Sequence, residues 1–330
     1  MNKKKIFFNI VRFMVVAAIF IYLFKSGKFE PSKLKVAFER LDLFVLSIIL
    51  FFLGFILSAY RWRYLLDIQN IFIGKWMSVK LTLVGFFFSI ALPGAVSGDF
   101  VKAYYIAKGS RQKEVLVTSI FFDRLLGLYT MIFVAALALM FGYMLGLISG
   151  DYGIWTQPYM KGLAVFIISL FLFLTVTGIL FMSTRVRSSV FIHSLLQMLP
   201  FHNIIIKIYD AVHHYGKNPV KTCKAMMLSI IVQIPGFAGM YTLALLLDIK
   251  VLSFLDYLTA LPVCLLINAL PLAPGGFGVG EAGFRTIFSF YGSREGAELA
   301  FLFHSIIFIL SIGIGGLIYL LTDVSKSQKN

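Results

Sequence analysis

Over most of this chain hydrophobic residues neither alternate with polar ones nor recur once per helical turn; they run on without interruption. Uncharged stretches occupy residues 43–60, 81–98, 125–150, 162–184, 225–247, 257–280 and 299–322, and an eighth apolar segment, 6–24, is broken by Arg12. About 20 apolar residues of helix span roughly 30 Å of hydrocarbon, so these lengths predict membrane-spanning helices. Arg12 reaches the surface along its own aliphatic stem. The first segment follows Lys3-Lys4-Lys5, but its far end, "YLFKSGKF", lacks a small-residue cleavage pattern, so a retained anchor is expected.

Charge between the spans predicts orientation. With the amino terminus in the cytoplasm, the basic clusters Lys3 to Lys5, Arg61 to Lys80, Lys102 to Lys113, Arg185 to Lys224 and Lys326 to Lys329 all fall inside. Segments 149–161, 248–256 and 293–298 carry little positive charge and fall outside, as the positive-inside tendency requires. Segment 25–42 runs against it, with five basic residues on the outer side partly balanced by Glu30, Glu39 and Asp42. Both termini are placed in the cytoplasm.

This assignment works if 81–110 begins and ends inside while 257–292 begins and ends outside. Each segment is an apolar half, a proline-glycine break and a charged second half: "PGAVSGDFVKAYYIAKGS" from Pro93 and "PGGFGVGEAGFRTIFSFYGS" from Pro274. In both, proline-glycine is followed by glycine-acid (Gly98-Asp99, Gly280-Glu281), a basic residue one turn later (Lys102, Arg285) and a closing glycine-serine (Gly109-Ser110, Gly292-Ser293). Irregular backbone is tolerated at membrane depth where protein or a wet cavity covers it, which implies such a cavity. The expected fold is therefore an all-α polytopic integral membrane protein. Two inverted repeats, 1–148 and 149–322, each carry a broken or re-entrant hairpin. An amphipathic cytoplasmic loop, 183–224, and a tail, 323–330, complete the organisation. Secondary transporters use this plan, with the substrate near the bilayer midplane.

Composition agrees: 59% of the residues are hydrophobic and 14% charged. The net charge of +15 is scattered over loops between spans, where lipid headgroups explain it better than nucleic acid does. Cys223 and Cys264 make no disulfide framework or paired metal motif, and neither a metal nor a cofactor is expected. The sequence has no phosphate-binding loop, no H-E-x-x-H, no aspartate pair for magnesium diphosphate and no nucleophile elbow.

The breaks hold the candidate chemistry. Pro93, Gly94, Gly98, Pro274, Gly275, Gly276, Gly278 and Gly280 end one half-helix, allow close backbone approach and start the next, whose free N–H groups attract an anion. Asp99 with Lys102 and Glu281 with Arg285 each share a helix face. Charges at this depth cost roughly 2.5–3.5 kcal/mol on insertion scales and should line the interior. Either they bind a headgroup or each acid neutralises its neighbour. "DRLLGL" at Asp123 adds Arg124 as a phosphate contact, Asp123 reading equally as a helix cap. Asn268 is placed to bond freed backbone or substrate. His304 reads as a packing histidine that is also able to carry a proton, and "GFFFSI" from Gly85 as lipid-facing packing or an acyl path. His213 and His214 fall on a cytoplasmic amphipathic helix without a third metal ligand.

These residues carry a resemblance. "LPGAVSGDFVKAYYIAKG" from Leu92, "FDRLLGL" from Phe122 and, most specifically, "PGGFGVGEAGF" from Pro274 resemble the lysylphosphatidylglycerol synthase transmembrane family. That family is the flippase-like portion of the bacterial multiple peptide resistance factor. The resemblance implies a bacterial inner-membrane protein with two re-entrant elements around a lipid-accessible cavity, moving aminoacylated or related phospholipid between leaflets. It also implies membrane lipids as partners, and leaves room for a separately encoded lipid-modifying enzyme and for an oligomer. Two departures matter. The chain ends at Asn330, eight residues after its last span, so lysyl-lipid synthesis is not expected. Lys102 stands where arginine is common in relatives, keeping charge but losing bidentate phosphate geometry. Two other readings stay open: a membrane transferase acting on a polyprenyl-phosphate or lipid acceptor, with Asp99 or Glu281 as base, and a non-transporting partner of a separate enzyme.

Overall fold

The computed structural model describes residues 38–91, 97–107, 112–149, 157–183, 202–270, 276 and 278–321. The described residues form helices joined by short turns, with no strand among them. In chain order the helices are α1 (Leu41–Ile68), α2 (Lys75–Ala91), α3 (Ser97–Ala107), α4 (Lys113–Ser149), α5 (Pro158–Met182), α6 (His202–Lys217), α7 (Pro219–Leu246), α8 (Phe254–Asn268), α9 (Val279–Phe290) and α10 (Gly296–Phe308). The last continues through a π-helical stretch, Ile309–Gly316, into α11, Leu317–Leu321. Helices α1, α4, α5, α7 and the continuous Gly296–Leu321 are each long and apolar enough to cross a membrane. The chain is a polytopic membrane protein. The expected amino-terminal span, 6–24, lies outside the described residues.

Helix α2 ends at Ala91 and α3 starts at Ser97, and α8 ends at Asn268 and α9 starts at Val279, on either side of the two predicted breaks. The first separates α2 from α3 and the second α8 from α9; Pro93, Gly94, Pro274 and Gly275 themselves lie outside the described residues. Ends of other helices follow local chemistry. Asn70 and Asp248 take up the left-handed conformation just past α1 and α7, at φ 59° and 56°, the positions where such residues close a helix. Gly292, at φ 81°, does the same after α9: Ser293 N–H donates to Phe288 O and Gly292 N–H to Ser289 O. Ser253 and Asp256 cap α8 reciprocally, each side chain accepting from the other's backbone N–H.

The chain divides into two compact units: Met1–Ile56 with Val79–Tyr105 and Pro235–Asn330, and Leu57–Ser78 with Ile106–Ile234. In the first, α10 is the most enclosed span. It packs on α9, which packs on α8, while Phe87 and Ile90 of α2 meet Phe308 and Ile312. Gly315 is what lets the π-helical stretch approach α2: a Cβ there would collide with the Leu83 carbonyl. Phe51 of α1 lies against Phe303, and Phe55 stacks on Phe86 at 4.0 Å.

The second unit is organised around α6. Its Tyr215 is fully buried, stacks face to face on Phe122 of α4 at 4.0 Å and donates its hydroxyl to Leu65 O. Burial drives the Tyr215 phenol well above its usual range. His214 bonds Ile68 O and Gln69 donates to Ala211 O, so α6 supplies partners around the end of α1. As expected, His213 and His214 are on a helix; His213 is buried.

Candidate functional site

The second break is a hydrogen-bonded cluster. His304 of α10, only 2% exposed, places Nδ1 2.8 Å from Glu281 Oε1 and Nε2 2.8 Å from Asn268 Oδ1. Glu281 begins α9 and also accepts the Gly278 backbone N–H through Oε2, so one carboxylate caps a helix and anchors a histidine. Gly278 has φ 87° and ψ −53°, a tight-turn conformation that residues with a Cβ rarely adopt.

This cluster explains the glycines of the motif. A Cβ on Gly276, itself at φ 82°, would run into the Asn268 side chain. One on Gly280 would stand 2.5 Å from both Asn268 Oδ1 and His304 Cε1, and one on Gly283 2.6 Å from Ile267 Cγ2. The close approach that the sequence suggests for a ligand is here taken up by the protein's own polar side chains. Arg285 is exposed one turn beyond Glu281 and makes no ion pair with a described residue. The acid at this break therefore pairs with His304 and not with its basic neighbour.

At the first break the contact is backbone on backbone. Gly98, in the first turn of α3, lies so close to Gly85 of α2 that a Cβ would meet the Gly85 carbonyl and Ser89 Oγ. Lys102, one turn on, is 6% exposed and passes its Cβ over Gly85. Asp99 is half-buried. Thr82, Gly85 and Ser89 share one face of α2. The buried hydroxyl oxygens of Thr82 and Ser89 find no hydrogen-bond partner among the described residues, nor does Ser311 in the π-helical stretch. Lys102 and the Ser89 hydroxyl thus lie at the seam between α2 and α3, with Thr82 on the same face of α2.

Asp123 is placed differently from the capping expectation. Helix α4 starts at Lys113, ten residues earlier, so Asp123 is well inside a span and caps nothing. It accepts Arg61 Nε of α1 at 2.8 Å, with the two side chains 7% and 8% exposed. Arg61 also donates to Asp123 O and to Ser229 Oγ of α7, while Gln233 of α7 donates to Gly127 O. This network locks three helices of the second unit. Sequence reading assigned Arg61 to a cytoplasmic basic cluster and missed the pair. A signal was there: Ser47, Gly54 and Arg61 recur every seventh residue of α1, and Ser119, Asp123, Gly127 and Thr130 form a similar stripe on α4. Arg124, beside Asp123, is exposed. The structure thus gathers Asn268, Glu281, Gly276, Gly278 and Gly280 at one break and Gly98, Asp99 and Lys102 at the other, and gives Asp123 to a separate lock. Among the described residues no three histidine, cysteine or acidic side chains gather as a metal site would require.

No curated protein and no solved structure matches the chain. The profile described as "Lysylphosphatidylglycerol synthase TM region" matches residues 9–315, nearly the whole length and all of both breaks. A multi-pass membrane protein with a lipid-related function follows from that match and from the apolar helices. The chain belongs to the lysylphosphatidylglycerol synthase transmembrane region family.

Proposed function

We propose that the protein moves a polar lipid between leaflets. The headgroup of a phospholipid, aminoacyl-phospholipid or related lipid enters a wet, charged chamber bordered by the two broken hairpins, and the acyl chains remain in the bilayer. The observation that carries this reading is the seam between α2 and α3. Lys102 is buried there, and Thr82 and Ser89 present hydroxyls without a partner among the described residues. Unpaired buried polar groups are costly in hydrocarbon, and a phosphate or ordered water would satisfy them. Lys102 and Arg285 take the phosphate; Asp99 and Asn268 hold the rest of the headgroup. Arg124 is kept as a phosphate contact at the surface of its own unit.

The equivalence of the breaks supports the repeat architecture. In each, a glycine in the first turn of the second half-helix packs into the first half or its partner, and the next residue is the acid: Gly98-Asp99 and Gly280-Glu281. We read 1–148 and 149–322 as inverted repeats, with both termini in the cytoplasm of a bacterial cell. Rocking of one repeat against the other would open the chamber to alternate leaflets. Both oxygens of Glu281 already hold hydrogen bonds, which favours translocation over its use as the base of a transferase.

Headgroup accessibility in proteoliposomes tests the proposal. Fluorescent phosphatidylglycerol in the inner leaflet should become accessible to an external quencher faster with the protein present, and Lys102→Ala should slow this at least about tenfold, as loss of a charge-assisted phosphate contact predicts. An unchanged leaflet distribution across a panel of anionic, zwitterionic and aminoacylated lipids, with folded protein present, overturns it.

A further inference from the structure

The Glu281–His304–Asn268 cluster is more than a packing contact, because its heavy atoms suit two protonation states. A neutral imidazole has one N–H; an imidazolium has two. With Asn268 Oδ1 towards Nε2, both ring nitrogens face oxygen and both carry hydrogen. A half-turn of the Asn268 amide offers an N–H to Nε2 instead, and the same ring is then satisfied while neutral, donating from Nδ1 to Glu281. The space for that side chain exists because Gly276 and Gly280 have no Cβ.

Among the described residues these charged and titratable groups lie on the elements around the cluster. From α8 come Asn268 and, a turn earlier, the buried Cys264. From α9 come Glu281 and, a turn on, Arg285. On α10 itself the nearest charge is Glu298, almost two turns away at the exposed start of the helix. Helix α10 and its continuation meet α1 and α2 through Phe51 and Phe87 and pass Gly315 close to the Leu83 carbonyl; α3 brings Lys102, which packs on Gly85. Access is graded: the Glu281 side chain is 21% exposed and that of His304 2%. A proton arriving from water meets the carboxylate first.

We propose that the Glu281–His304 pair is a proton-binding site coupled to the lipid, an inference that rests on the translocation reading and supplies its driving force. One proton from solvent passes the Glu281 carboxylate and adds to Nε2 of the neutral His304 imidazole as the Asn268 amide turns its oxygen towards it, and no bond between heavy atoms forms or breaks. The cluster changes from net negative, imidazole with carboxylate, to net neutral, imidazolium with carboxylate. Two things follow. The cluster and Arg285 together then favour an anionic headgroup, and by reciprocity a bound anionic headgroup favours the proton. An imidazolium also draws the Glu281 carboxylate towards itself and away from the Gly278 N–H, so uptake loosens the cap of α9 at the break that must move. Release of the proton on the other side restores the cap.

The test uses proteoliposomes of phosphatidylethanolamine and phosphatidylglycerol containing a trapped pH-sensitive dye, with fluorescent phosphatidylglycerol as probe and a pH gradient of either sign. One proton per lipid predicts an exchange rate that differs severalfold between the two gradient directions, at most about tenfold for each pH unit of gradient, together with proton influx that requires the probe. In Glu281→Gln, whose amide oxygen still accepts the Gly278 N–H, and in His304→Gln, the ratio between gradient directions should fall to one. Wild-type exchange that is indifferent to the gradient overturns the proton site and leaves translocation standing, whichever variants fold. Gradient dependence that survives in both folded variants overturns it equally. Absence of any wild-type exchange removes the translocation reading and the coupling with it.

Discussion

Arg61 and Asp123 offer the sharpest energetic test, because the structure makes them a lock within one unit and not a ligand site. Their 2.8 Å contact places both charges where they are 7% and 8% exposed. At an effective dielectric of about 20, two unit charges at that separation attract by roughly 6 kcal/mol before desolvation is counted. Desolvation removes most of this gain, so the pair adds little compared with well-packed apolar residues, yet breaking it strands a charge at a cost of about 3–5 kcal/mol. Asp123→Asn leaves the Arg61 guanidinium without its counter-charge, and Arg61→Met leaves the carboxylate. Each single variant should lose about 3–5 kcal/mol, whereas Arg61→Met with Asp123→Leu should return to within about 1 kcal/mol of the parent. Reversible unfolding in mixed detergent micelles, run as a double-mutant cycle, measures this. Additive losses, or single variants costing less than about 1 kcal/mol, would refute the lock.

Further predictions concern glycines, a tyrosine and a cap. Gly98→Ala forces α3 off the Gly85 carbonyl and should cost about 1–3 kcal/mol by overpacking; Gly178→Ala, with open space around it, should be neutral or slightly stabilising in the same unfolding assay. Tyr215→Phe keeps the stack on Phe122 but loses the bond to Leu65 O, a loss of about 1 kcal/mol. The Ser293 hydroxyl, with the Arg294 N–H, holds the Glu295 carboxyl below its usual value of 4.5. Being depressed, this group stabilises the fold above that value and ceases to do so as pH falls through the lowered one. The small stability difference between Glu295→Gln and the parent, measured at pH 7, should therefore vanish in stronger acid; a constant difference would contradict the sign.

Much of the fold was legible because membrane helices must satisfy their backbone internally, so a long uncharged run has few other ways to be built. The uncharged run 43–60 sits inside α1, residues 125–149 in α4 and 225–246 in α7, and the proline-glycine pairs fall between α2 and α3 and between α8 and α9. Helices extend past their uncharged cores by up to a dozen residues, since a charge on the inner face or beyond the hydrocarbon does not end a helix. The site was less legible. Spacing along one helix suggested that Glu281 would meet Arg285, but the nearest partner came from α10, 23 residues on. The same blindness to contacts between distant helices hid Arg61 from Asp123. The glycines of "PGGFGVGEAGF" suggest room for a ligand to approach; at Gly276, Gly280 and Gly283 the groups that approach are Asn268, His304 and Ile267.

The central claim is that the two hairpin breaks face one wet chamber within the bilayer. With Cys223 and Cys264 replaced by serine, paired cysteines introduced as Asp99→Cys and Arg285→Cys can be treated in intact membranes with a short, water-soluble bifunctional thiol reagent. The account predicts a cross-link that forms within one chain and is suppressed by short-chain phosphatidylglycerol. Two cysteines that each react singly but never join, or that lipid leaves unprotected, would contradict it.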